Sequence, residues 1–196
     1  MNYHSLSDKE LIQSYKQGNK LAIDVLIRRH SDKLYSYILM FMKNEELARD
    51  LLQETLIKVL DSLKRGKYED KGMFLSWMVR IAHNLVIDYY RKAKHLPTVS
   101  NDASEYDLFN SPKFADKNVE DLIISEQVRS DIRKLIDMLP QEQKEVILLR
   151  HYGGLSFKEI AKLTGVSINT ALGRMRYALI NLRKLVDKHK LNLRLD

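Results

Sequence analysis

The chain has 196 residues, 44% of them hydrophobic and 30% charged, with a net charge of +7 and no cysteine. The missing thiols exclude disulfides, cysteine nucleophiles and thiolate metal sites, and they suit a reducing cytoplasm. No run approaches the roughly 18 apolar residues of a membrane helix, and the opening MNYHSLSDKE lacks the apolar stretch of a secretory signal.

Only seven glycines and three prolines interrupt a composition dominated by helix formers, which points to an all-α chain. Leu6-Ser7-Asp8-Lys9-Glu10-Leu11 is a helix start: Ser7 caps, Glu10 reaches back, and Leu6 and Leu11 form a hydrophobic staple. Helices are expected over about 8–16 and 20–42, parted at Gly18-Asn19, and over 45–64, capped by Asn44 and closed at Arg65-Gly66. Polar residues 67–72 form a loop before a fourth helix over 73–94. Residues 96–118 show no helical period and contain Pro97 and Pro112, so they are a linker.

Charge divides at the same places. Residues 1–95 hold 17 basic and 12 acidic residues, 96–120 hold 2 and 5, and 121–196 hold 14 and 9. Two basic helical domains, 1–95 and 121–196, are therefore expected on either side of a flexible acidic linker, 96–120. Excess positive charge on both domains favours a polyanionic partner.

In the second domain Val128, Ile132, Leu135 and Leu139 step by 4, 3 and 4 along an apolar helix face that Pro140 ends. A short helix follows over 141–152, stopped by Gly153-Gly154. Ser156 and Glu159 then repeat the capping-box pattern, with Leu155 and Ile160 as the staple. Gly165 supplies a left-handed helix end, and Ser167 caps a last helix over about 168–186. Small Ala161 permits a close crossing. Two helices joined by so short a turn have the spacing of a helix-turn-helix, whose second helix enters the DNA major groove.

That second helix carries suitable groups at its start. Ser167, Asn169 and Thr170 can contact phosphates or base edges, Arg174 can pair with guanine, and Arg176 and Tyr177 can grip the backbone. Gly173 costs about 1 kcal/mol against alanine inside a helix, which fits close approach to another molecule. An ordinary αα-hairpin with a solvated polar face accounts for the same residues.

The stretch GLSFKEIAKLTGVSINTALGRMRYALINLRK resembles the C-terminal helix-turn-helix of bacterial sigma-70 family initiation factors, particularly the extracytoplasmic function group. LPQEQKEVILLRHYGG resembles the helix leading into it. SDKELIQSYKQGNKLAIDVLIRRH is similar to the family's opening helices, and NEELARDLLQETLIKVLDSL to the segment that docks on RNA polymerase. The resemblance implies that Asp50, Leu51, Gln53 and Glu54 bind core polymerase. From the residues alone, Asp50 and Glu54 are an i, i+4 acidic pair on a face that also reads as merely solvated.

FLSWMVRIAHNLVIDYYRKAKH resembles the family's helix that reads the −10 promoter element. Trp77, Arg80, Asn84, Asp88 and Arg91 step by 3, 4, 4 and 3, so one stripe holds a ring, two guanidinium groups, an amide and a carboxylate. Lys92 extends its basic end. Leu75, Met78, Ile81, Ala82 and Leu85 lie towards the packing side. Such a stripe suits single-stranded DNA, where bases stack on rings and cations hold phosphates. An exposed face with an Asp88–Arg91 pair, and Trp77 in the core, is the competing account. The resemblance further implies that the loop from Lys67 to Phe74 captures a flipped base.

The resemblance thus implies a transcription initiation factor, not an enzyme. Its partners would be core RNA polymerase, promoter DNA and an anti-sigma factor, without membrane insertion or a cofactor. Ala171 and Gly173 depart from the residues usual in the family, which implies a −35 preference of its own. A stand-alone DNA-binding regulator would leave the Asp50–Thr55 run and the Trp77 stripe unexplained. An enzyme is disfavoured: the six histidines have no metal-ligand spacing, and no phosphate-binding glycine loop or nucleophile elbow occurs.

Overall fold

The computed structural model describes residues 3–69, 72–94 and 130–189, and every regular element among them is helical. The chain divides into two compact units. The linker expected over 96–120, with Pro97 and Pro112, lies outside the described residues, as does Val128.

In the first unit a 3-10 turn, Tyr3–Ser5, leads into α1 (Asp8–Lys16), α2 (Lys20–Met42), α3 (Glu45–Lys64) and α4 (Phe74–Lys94). The starts are where local chemistry puts them. Ser7 Oγ accepts from the Glu10 amide while Glu10 accepts from the Ser7 amide, a complete capping box. The Ser7 hydroxyl also donates to the Glu10 carboxylate and holds its pKa below the usual range. Asn19 and Asn44 cap α2 and α3 through their side-chain oxygens. Gly18 and Gly66 take positive φ between helices, a conformation that costs glycine little.

The longest of these helices, α2, is the centre of the unit: α1, α3 and α4 all pack on it, and α3 also packs on α4. The core contains Leu11, Leu26, Leu34, Tyr37, Ile38, Val59, Met78, Val79 and Val86, all essentially buried. Full burial of each aliphatic side chain contributes on the order of 1.5–3 kcal/mol. At the edge, Asp8 joins α1 to α2 through Arg29 at 2.7 Å and His30 at 2.7 Å.

The second unit contains a helix over 130–137 (α5), then α6 (Gln141–His151), α7 (Phe157–Thr164) and α8 (Ile168–His189). Leu135, Ile136 and Leu139 are buried, but Ile132 is 38% exposed. The apolar face expected through Ile132 is thus turned towards Ile136. Lys144 is buried and forms an ion pair with Asp137, bracing the turn at Pro140. Ser156 and Glu159 complete a second capping box. Gly165, at φ 69°, ends α7 with its amide bonded to the Ala161 carbonyl. Ser167 Oγ accepts from the Thr170 amide at 3.0 Å and starts α8. α7 crosses α8 with Ala161, Ala171 and Ala178 all buried. The last helix extends to His189, three residues past the expected end.

Candidate nucleic-acid and polymerase interfaces

Three surfaces carry the residues that the sequence singles out. On α3, the run Asp50–Thr55 divides by helical angle. Asp50, Gln53 and Glu54 are exposed, whereas Leu51 is 7% exposed and Thr55 is fully buried, its hydroxyl bonded to the Leu51 carbonyl at 2.7 Å. Leu51 therefore anchors the face from beneath and is not on it. Glu54 faces Lys58 at 3.6 Å and Asp61 pairs with Arg65 at 2.9 Å, both largely solvated and each worth at most a few tenths of a kcal/mol. Their charges stay available to a partner. Between them Ile57 is 66% exposed, an apolar side chain at the centre of a charged face.

On α4, Asn84, Arg91 and Lys92 are exposed, and Trp77, Arg80 and Asp88 are partly exposed, so the stripe lies along one surface. Lys67, in the connection ahead of the helix, is exposed too. The opposite side packs through Met78, Val79, Ala82, His83, Leu85 and Val86. Leu75 and Ile81, expected on that side, are only half-buried. Asp88 and Arg91 form the ion pair expected of a solvated face.

Phe74 leaves this surface. It is 1% exposed and its ring packs at 5.6 Å from Trp77 and 5.5 Å from Tyr68. An apolar ring at the first turn of a helix that abuts a core gains more from burial than from standing in solvent. Trp77 combines both sequence readings: its ring packs on Tyr68 at 4.5 Å, yet it retains solvent exposure.

On α8, Asn169, Thr170, Arg176 and Tyr177 are exposed, and Gly173 and Arg174 partly so. The Ser167 and Thr170 hydroxyls bond one another at 2.8 Å while Ser167 is exposed, so the cap and the surface share atoms. A Cβ at Gly173 would meet nothing within 4 Å, so no internal packing requires glycine there. Ala171 is 1% exposed, inside the helix crossing. Its small size sets helix approach; it reaches no base edge. Asn181 donates to Gln143 at 2.9 Å and ties α8 to α6. Glu145, also on α6, has its carboxyl pKa raised by burial, an effect that the positive charge of Arg174 opposes.

Family profiles match both halves: Sigma-70 region 2 over residues 26–96, and Sigma-70 region 4 over residues 129–177. The chain belongs to the sigma-70 family. It is an extracytoplasmic function sigma factor, a promoter-specific initiator of transcription. It is 27% identical over 185 residues to the ECF RNA polymerase sigma-E factor of Escherichia coli K12, covering 93% of each chain. It is 25% identical over 184 residues to the RNA polymerase sigma-H factor of Pseudomonas aeruginosa, covering 92% of each. The SigE factor of Mycolicibacterium smegmatis is 31% identical over 166 residues, 85% of this chain and 62% of that one.

Two solved structures share the fold. CnrH, in complex with the cytosolic domain of CnrY, has a TM-score of 0.60 at 23% identity, over 92% of this chain and 97% of that one. RpoE of Bartonella quintana, in complex with the anti-sigma factor NepR, has a TM-score of 0.57 at 19% identity, over 89% and 98%.

For this sigma factor, sequence reasoning passed over Ile57, Tyr68 and Glu145. Ile57 had a usable signal, lying three residues after Glu54 and four after Gln53 on a polar face. Tyr68 and Glu145 had none, because their partners are set by tertiary packing.

Proposed function

We propose that residues 1–95 dock this sigma factor on core RNA polymerase and then melt and read the −10 element, while residues 121–196 read the −35 element as duplex. Residues 96–120 connect the two. Asp50, Gln53 and Glu54, with Leu51 beneath them, are the docking group. Trp77, Arg80, Asn84, Asp88, Arg91, Lys92 and Lys67 serve the separated −10 strand. Ser167, Asn169, Thr170, Gly173, Arg174, Arg176 and Tyr177 serve the −35 groove. The chain supplies sequence specificity and no catalytic step, and it works in the cytoplasm.

The observation that carries this reading is the outward stripe on α4. A half-exposed indole stands in line with an exposed amide and guanidinium groups, on a helix whose other side is core. A duplex-only regulator would have no use for such a surface, whereas unpaired bases stack on rings and phosphates meet cations. An anti-sigma factor is proposed as a further partner, of the kind bound by the RpoE relative.

Reconstituted transcription with core polymerase over a promoter library tests the reading. Transcripts should start from a subset of promoters sharing −10 and −35 sequences, and only when the chain is added. Footprints on duplex DNA without polymerase, and no added transcription with it, would overturn the proposal.

A further inference from the structure

We propose that Tyr68 is a positioning residue that holds the Trp77 indole in the orientation in which it stacks on an unpaired promoter base. This rests on the role given to Trp77 above. Tyr68 sits in the connection between α3 and α4, between exposed Lys67 and exposed Glu69, yet it is only 5% exposed. A ring drawn inward from a polar connection is held there by what it touches.

Two of the side chains it touches are rings that close a triangle with it. The Tyr68 centroid lies 4.5 Å from Trp77 with the planes at 46°, and 5.5 Å from Phe74 with the planes at 89°. Phe74 closes the triangle at 5.6 Å from Trp77. Behind Phe74 stands His30, its ring 5.8 Å away and its Nε2 bonded to Asp8 Oδ2 at 2.7 Å. Buried Phe74 gives the cluster a fixed base, and Tyr68 packs on the indole from outside α4. A stacking platform loses less freedom on binding when its ring is already fixed. Tyr68 itself is too buried to meet DNA, so it acts through Trp77.

Trp77 is the chain's single tryptophan, so the emission of the free full-length protein reports this ring alone. The experiment compares Tyr68→Met, Tyr68→Phe and Trp77→Leu in three measurements. These are core polymerase binding and permanganate reactivity of −10 thymines on a promoter taken from the library screen, for all three variants, and acrylamide quenching of Trp77 in the two Tyr68 variants. Tyr68→Met should open the promoter about five-fold less well, in the range that loss of one aromatic pair implies. It should also expose Trp77 to quencher while binding core polymerase normally. Tyr68→Phe should restore both opening and protection. Wild-type opening by Tyr68→Met beside defective Trp77→Leu overturns the positioning role and leaves the −10 reading standing. Normal opening by Trp77→Leu overturns both. Loss of core binding in step with opening would make Tyr68 a plain structural residue and overturn the proposal.

Discussion

Tyr37 on α2 and His83 on α4 share a 2.8 Å hydrogen bond inside the first unit, with both side chains almost fully withdrawn from solvent. Phe41 packs against both, 5.1 Å from the Tyr37 ring and 6.1 Å from His83. Burial lowers the His83 pKa to about 4 from its ordinary 6.5, because an imidazolium loses hydration there. The folded state thus refuses a proton that the unfolded chain accepts. Its contribution is complete above pH 6.5 and is lost as pH falls from 6.5 towards 4. The loss is on the order of 3 kcal/mol at most, since each pKa unit corresponds to about 1.4 kcal/mol. Urea unfolding followed by Trp77 emission should show stability falling across this window. His83→Leu should remove about one proton's worth of that slope. An unchanged slope would mean that other groups govern acid sensitivity.

Gly173 offers a second test, because inside the chain it has no reason to be glycine. Nothing lies within 4 Å of a Cβ there, so Gly173→Ala should stabilise α8 by up to about 1 kcal/mol. Thermal melting of the full chain should show the gain. If the missing methyl allows close approach to the groove, the same variant should lose −35-dependent transcription several-fold. Stabilisation with unaltered promoter use would remove Gly173 from the DNA surface.

What was legible beforehand follows the range of the forces. Ser7 with Glu10, Ser156 with Glu159, Asn44 and Gly165 act on backbone within a few residues, and each behaves as its sequence signature implies. The α4 stripe was legible because helical period alone fixes which residues share a side. Leu51 and Phe74 do not occupy the surfaces their sequence positions imply, since burial depends on where other helices lie. Ala171 resembles a promoter-choice position in the sequence for the same reason: it is buried where α7 crosses α8, which the local sequence does not display.

The docking face on α3 can be broken without unfolding the helix. Asp50→Arg with Glu54→Arg reverses two exposed charges and removes only the solvated Glu54–Lys58 pair, a loss of a few tenths of a kcal/mol. Helical content by circular dichroism should be retained, and core polymerase binding should fall more than about tenfold. Ile57→Ser should act in the same direction without changing charge, because an apolar side chain at a docking centre gains by losing water. Normal co-purification of the double variant with polymerase would sink the docking assignment.

Arg174 needs two substitutions, because it faces both ways. Its charge counters the effect of burial on Glu145 of α6, so Arg174→Ala removes that charge together with any guanine contact. The Glu145 carboxyl should then rise further above its ordinary range, since the Arg174 charge that opposes burial and Glu142 is gone. Arg174→Lys keeps a positive charge beside Glu145 but loses the planar fork that pairs with guanine O6 and N7. If Arg174 reads the −35 element, both variants should weaken −35-dependent transcription by about 1–3 kcal/mol, with core binding intact. The lysine variant should do so at wild-type melting temperature. Full activity of Arg174→Lys beside an unstable Arg174→Ala would make the charge on Glu145 the whole role of this side chain.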